Sequence, residues 1–374
     1  MKQLGISQVD ALFSNGSYSI EFLFCYKDAF DTRRLRRALR GLSSSFWPLF
    51  GEYREGTVLW EGYREEDVYD EEAIDRELDI AALEENYFET YSRFRLPELK
   101  KLFFMKVLRF RNGIVLVPKL KHLAGDGYSF FFFLAALASL SRPARAPFRT
   151  LVMKSFFKPH HHRTALREFP FRGIRLNPLP EAGEFTLECE RIPKKKVRSA
   201  IREAASSSGH RISSNDVISA QALKTLIQRR REAWPGRVSL TIPIDVRRHI
   251  GEYGPKFLGN AILLHTLVFK KEELERSSVE DVAVKIRKSM PTVSKEIYVD
   301  YLAGLENILA GGQFEKFRPF DPSSECLVTN LSKMPLDKLD FGTGPPDLVL
   351  PLTVERNSAG VLADRDDFIL RLVF

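Results

Sequence analysis

Residues 113–137 hold two apolar runs separated by a polar turn, and few folds accommodate that arrangement. Gly113-Ile114-Val115-Leu116-Val117-Pro118-Lys119-Leu120 is short and β-branched. It predicts a buried strand. Tyr128-Ser129-Phe130-Phe131-Phe132-Phe133-Leu134-Ala135-Ala136-Leu137 is longer and ends in helix formers. It predicts a packed helix. Between them lies Lys121-His122-Leu123-Ala124-Gly125-Asp126-Gly127. An imidazole and a carboxylate four residues apart thus sit at a strand-to-helix turn between two core elements.

An imidazole is the usual base near neutral pH, with an unperturbed pKa of ~6.5. Held at a strand end, His122 can take the proton from an alcohol or amine attacking a carbonyl. Gly125 and Gly127 permit a tight turn and close approach to a ligand. Asp126 can orient the imidazole, cap the helix or pair with a distant arginine. A core turn capped by Asp126 fits the same residues, so both readings stand at this point. Rival chemistry has less support. There is no Gly-x-Ser-x-Gly elbow for a serine acyl-enzyme and no phosphate loop. Gly342-x-Gly344 lacks the third glycine of a dinucleotide site. His160-His161-His162 has no acidic or cysteine neighbour and reads as solvated linker rather than a metal site.

With 374 residues the chain exceeds one ordinary core, and two domains are expected. Recurrent prolines without periodicity put the boundary after the long helix. The expected division is 1–150, a crossover linker over 151–183, and 184–374. The first half should carry strand over Met1 to Asp28, notably Tyr18 to Tyr26, an Arg-rich amphipathic helix from Asp31, a hairpin through Tyr53 and Val58, and an acidic helical region over 61–101. The second half should alternate strands near 184–190, 238–245 and 262–269 with helices from Pro193, Ser213 and 277–310, and close on a hairpin turning at Asp364-Arg365-Asp366. Without a strict βαβ rhythm the class is α/β or α+β with mixed sheets. Cys25, Cys189 and Cys326 are odd in number and far apart, which predicts reduced, buried thiols. The start has no long apolar segment of a signal peptide, and no apolar run reaches the ~20 residues of a membrane span. A cytoplasmic location is expected. The net charge of +8 fits nucleic acid, although no interleaved aromatic motif accompanies it, or a phosphate-bearing small cosubstrate, and charge alone does not choose between them.

His122-Leu123-Ala124-Gly125-Asp126-Gly127 resembles the His-x-x-x-Asp-Gly motif of the BAHD acyltransferases. Asp340-Phe341-Gly342-Thr343-Gly344 is similar to that family's Asp-Phe-Gly-Trp-Gly motif. Between and before them, Trp47-Pro48-Leu49-Phe50-Gly51, Ile244-Asp245-Val246-Arg247, Phe257-Leu258-Gly259-Asn260-Ala261 and Val328-Thr329-Asn330 resemble further family segments in the same order.

The resemblance implies a two-domain architecture like chloramphenicol acetyltransferase, with a channel between the domains. It implies an O- or N-acyltransferase of secondary metabolism, working as a monomer. Acyl-CoA is the cosubstrate, a small alcohol or amine the acceptor, and no bound cofactor or metal is needed. His122 would be the catalytic base, with no acyl-enzyme. Asp126 would be structural and paired with Arg247. Gly127, Asp340 and Gly342 would support the site. Thr329, Asn330, Lys333 and Asn260 would contact substrate, Lys333 at the position of an arginine that holds acidic acceptors in some members. Two family tryptophans are replaced, by Thr343 and Leu331. A catalytically silent binding protein of this fold, or a condensation domain of a peptide synthetase, are the alternatives. The second usually has two adjacent histidines, and here position 121 is Lys.

Overall fold

The chain was analysed as a computed structural model that describes residues 1–14, 18–142, 185–230, 234–251, 253–254, 257–312 and 321–374. The expected linker over 151–183 and the triple histidine at 160–162 lie outside the described residues. In chain order the strands are β1 (Lys2–Gly5), β2 (Ser19–Tyr26), β3 (Glu52–Arg54), β4 (Thr57–Trp60), β5 (Tyr69–Ala73), β6 (Phe103–Phe110), β7 (Gly113–Lys121), β8 (Leu187–Pro193), β9 (Arg237–Asp245), β10 (Ile262–Lys270), β11 (Glu325–Asn330), β12 (Leu348–Pro351), β13 (Ser358–Ala363) and β14 (Asp367–Val373). The helices are α1 (Gln8–Ala11), α2 (Thr32–Ser43), α3 (Ile80–Glu85), α4 (Tyr87–Phe94), α5 (Gly127–Ser141), α6 (Lys194–Ser208), α7 (Ser214–Arg229), α8 (Lys271–Arg276), α9 (Val279–Ser289) and α10 (Lys295–Ala310).

A five-stranded sheet in the order β12-β2-β7-β6-β5 and a six-stranded sheet in the order β10-β9-β11-β13-β14-β8 carry the structure, beside a small β1-β4-β3 sheet. Both large sheets mix parallel and antiparallel pairs, as expected. β7 is buried along its whole length because both faces are covered. Ile114, Leu116 and Leu120 face the core that contains Phe130, Phe131 and Phe133 of α5. Val115 and Val117 face a separate core with Tyr87 and Tyr91 of α4. A strand covered on both faces reads as a continuous apolar run, which is what the sequence shows. On the α4 face Glu21 and Lys119 are register partners at 3.5 Å. Lys119 donates to the carbonyls of Leu96 and Pro97, and Glu21 accepts from the Leu96 amide, so this buried pair is hydrogen-bonded as burial demands.

The acidic region over 61–101 is not helical throughout. Tyr69–Ala73 forms an edge strand parallel to β6. Its charges find cations on that neighbour: Lys106 reaches Asp70 at 3.5 Å and Glu72 at 3.0 Å, and Arg109 reaches Glu71 at 2.7 Å. Cross-strand pairing stabilises a charge pattern that suggests a helix when read alone. The pattern over 277–310 is two helices. Pro291 forces Met290 into extended backbone at ψ 127°, which ends α9. Near the start, Ser7-Gln8-Val9-Asp10 makes a capping box and α1, where a strand was expected. Cys25 and Cys326 are buried, while Cys189 is exposed, contrary to expectation.

The division into 1–150 and 184–374 is crossed both by strand pairing and by core packing. β12 comes from the second half yet pairs antiparallel with β2 at the edge of the first sheet. Val246, Ile250, Phe257, Leu258 and Ala261 pack into the same core as α5. That excursion carries Arg247 and Asn260 onto the turn at His122. No helix among the described residues is long and apolar enough to cross a membrane.

Phe133 lies at the centre of the first core, 4.9 Å from the Phe103 ring and 5.0 Å from that of Phe46. Phe133→Ala is expected to cost about 3–5 kcal/mol, measured as a lower urea midpoint at unchanged slope.

Candidate active site

His122 follows β7 directly, in a single 3-10 turn. Its amide donates to the Tyr18 carbonyl at 2.9 Å, and its ring stacks on Phe13 at 3.7 Å. Nδ1 is buried with no hydrogen-bond partner among the described residues, which leaves Nε2 as the nitrogen available to a ligand. Burial holds the imidazole below its ordinary pKa, opposed by the charge of Asp126, its own backbone carbonyl and Asn260. The site therefore favours a neutral imidazole at pH 7.

Asp126 caps α5, its Oδ1 accepting from the Ser129 amide at 3.0 Å. Its two oxygens also accept from Arg247 Nη1 at 2.8 Å and Nη2 at 2.9 Å, and Oδ2 accepts from the Ala261 amide at 3.0 Å. Arg247 is engaged at every nitrogen: Nε donates to the Phe257 carbonyl, Nη1 also to Asp245, and Nη2 also to Ser129 Oγ and the Gly259 carbonyl. Burial alone would raise the Asp126 carboxyl. The Arg247 charge and the hydrogen bonds overcome that, and the carboxyl sits below the usual range. Of the alternatives open for Asp126 in the sequence, the structure has both the cap and the arginine partner.

Asn260 was expected to touch substrate, but it is buried and turned into the protein. Its Nδ2 donates to the carbonyls of His122 and Leu123 and to Asp10, clamping the turn at His122. Asp340 likewise closes its own loop. Oδ1 accepts from the Gly342 and Gly344 amides at 2.8 and 2.9 Å, and Oδ2 pairs with Arg142, just past α5, at 2.9 Å. Gly342 adopts φ +126°, backbone that side chains rarely tolerate, so the second motif depends on glycine there. Phe341 stacks on Phe30 at 5.3 Å, and neither Asp340 nor Gly342 borders the cavity beside His122.

That cavity has a volume of about 250 Å³. His122, Gly127, Tyr128, Thr329, Asn330 and Leu331 are among the residues that line it. Thr329 and Asn330 border this cavity. Lys333 does not. It is exposed and does not border the cavity, because the chain turns outward after β11. Leu331 comes close to the start of α5, where a methyl placed on Gly127 would stand 3.1 Å from its Cδ2. Two wall residues escaped the sequence reading. Phe13 follows the Ser7–Asp10 capping box, a readable signal. Arg371 is the single cation in the apolar closing strand Phe368-Ile369-Leu370-Arg371-Leu372-Val373.

A transferase-family model matches residues 90–368, most of the chain. This chain belongs to the BAHD family of acyltransferases. Vinorine synthase aligns over 100% of this chain and 90% of its own, with a TM-score of 0.76 at 18% identity. TRI101 of F. graminearum, in complex with coenzyme A and deoxynivalenol, aligns over 100% and 95%, at TM-score 0.73 and 13% identity. The first condensation domain of the calcium-dependent antibiotic synthetase shares the fold at TM-score 0.58 and 14% identity, covering 99% and 90%. No curated protein sequence matches the chain. The activity class that comes with the family is acyl transfer.

Replacing Arg247 with Met strands a buried carboxylate and is expected to cost about 3–5 kcal/mol in chemical denaturation, with part recovered in the Arg247→Met, Asp126→Asn double variant. Because the folded carboxyl lies low, its contribution is complete above the unfolded value of about 3.9 and fades as pH falls through the folded one. Melting temperature followed from pH 6 to 2 should show a shallower acid limb in Asp126→Asn than in the parent.

Proposed function

We propose that the chain moves an acyl group from acyl-CoA to the hydroxyl or amine of a small acceptor, with His122 as general base. One observation carries the reading. The imidazole borders the cavity while the motif carboxylate, Asp126, is committed to Arg247 and the helix cap. A neutral base with no competing ion pair is what proton abstraction from an alcohol or amine requires.

The acceptor heteroatom attacks the thioester carbonyl carbon while Nε2 of His122 takes its proton. The new carbon–oxygen or carbon–nitrogen bond forms and the carbonyl becomes a tetrahedral oxyanion. Collapse re-forms the carbonyl and breaks the carbon–sulfur bond. The imidazolium returns the proton to the leaving thiolate, so His122 ends as it began. No covalent bond to the protein is made. Thr329 and Asn330 line the same cavity as His122 and position the acceptor. TRI101 binding both coenzyme A and an acceptor on this fold supports a ternary complex. The net charge of +8 favours approach of a polyphosphate cosubstrate. The enzyme is read as a cytoplasmic monomer of secondary metabolism.

His122→Ala should lower turnover by ~10²–10⁴-fold with the fold retained, measured as thiol release from acetyl-CoA with an acceptor panel. Unchanged turnover would remove His122 from the chemistry. Since burial holds the imidazole below its ordinary pKa, the base stays neutral at pH values where a free histidine is half protonated. kcat/KM should hold its plateau from pH 8 to below about 6.5 and decline only under that value.

A further inference from the structure

The six-stranded sheet has two distinct faces. Leu240, Ile242, Val328, Val361, Leu370 and Leu372 point to the helices behind it. The opposite positions line the cavity, and across three neighbouring strands they run Thr329, Gly360, Arg371 in direct register. Gly360 leaves a gap in this row: a Cβ built on it meets nothing within 4 Å. Arg371, beside the gap, is only 4% exposed. Its Nη1 donates to the Thr353 carbonyl at 2.9 Å, and its guanidinium lies over the Tyr87 ring at 4.6 Å. Nε and Nη2 are buried and have no hydrogen-bond partner among the described residues.

This is an unusual state for an arginine. Arg247, equally buried, is engaged at all three nitrogens. Arg371 is engaged at one, and Glu355, which borders the same cavity, does not pair with it. A buried cation without an anion is costly, and a buried donor without an acceptor adds to that cost. The two unused nitrogens share one edge of the guanidinium. That edge matches the two oxygens of a carboxylate in a bidentate pair. Burial lowers the group to about 9, which leaves it cationic at neutral pH.

We propose that Arg371 is a specificity residue that receives a substrate carboxylate on its Nε/Nη2 edge, in the space left open by Gly360. The inference rests on the acyl-transfer reading of the cavity and narrows its substrates to anionic ones. Lys333, the position that the family resemblance suggested for this task, is on the surface, and the cation is delivered by the last strand instead. The carboxylate belongs either to the acceptor or to the distal end of a dicarboxylic acyl chain.

The test needs no turnover. Benzoate, cinnamate and succinate, each against its neutral amide, and malonyl-CoA against acetyl-CoA, are titrated calorimetrically into the full chain and into Arg371→Gln. The parent should bind the charged member of a pair about 10- to 100-fold tighter, and Arg371→Gln should make the two members equal. Discrimination among the free acids assigns the carboxylate to the acceptor, and discrimination between the two thioesters assigns it to the acyl chain. If the parent separates neither kind of pair, or if Arg371→Gln weakens both members alike, the arginine is structural and the proposal fails. Gly360→Val covers the case in which Arg371→Gln does not fold. Its Cβ has no heavy atom within 4 Å, and the added methyls enter the gap; a variant that keeps its melting temperature should lose the preference for charge. A preference that survives it overturns the proposal. Failure of the acyl-transfer reading itself shows separately, as thiol release that is indifferent to His122→Ala.

Discussion

The Arg247–Asp126 pair fixes the relation between the two halves of the chain. It is buried, bidentate and surrounded by further acceptors, so the arginine is anchored at three nitrogens and the carboxylate at both oxygens. Such a pair contributes little net stability compared with apolar packing, but losing one member is severe. Its value is positional. The cap of α5, the excursion that holds Gly259 and Asn260, and the turn carrying His122 are all referred to the same few atoms. Asn260 then grips the carbonyls of the turn itself. The turn that carries the imidazole is thus held by buried hydrogen bonds from both halves of the chain.

Much of this was legible in the sequence because local rules and tertiary context agree. The run Ile114 to Leu120 announces a strand covered on both faces, and α5 follows because its phenylalanines are buried on several sides. The capped start of α7 at Ser213 and Asp216 appears as expected. Disagreement arises where long-range pairing overrides local pattern. Asp70, Glu71 and Glu72 suit a helix surface until cations on β6 are placed opposite them. Pro291 was passed over because the helical pattern resumes on both sides of it.

The site divides the same way. His122, Asp126 and Arg247 are recognisable from a motif, because the chemistry of the turn demands particular residue types at a fixed spacing. Thr329 and Asn330 follow from the strand that carries them. Asn260 has the right neighbourhood but the wrong direction, since sequence does not say which way a buried amide turns. Lys333 fails because a turn after β11 points it outward. Arg371 is invisible to motif reading, although one cation inside an apolar strand is a departure that asks for a partner.

The pairing of β12 with β2 bears on how the chain is made. Val349 lies opposite Phe24, so this edge joins residues more than three hundred positions apart. During synthesis β2 can meet β7 early, but its other edge stays open until residues 348–351 have emerged from the ribosome. That edge carries Phe22, Leu23 and Phe24, the kind of unpaired apolar strand that recruits other strands. The nascent first half is therefore a client for chaperones, and a truncated chain ending before residue 348 is expected to aggregate rather than to fold as a free-standing lobe.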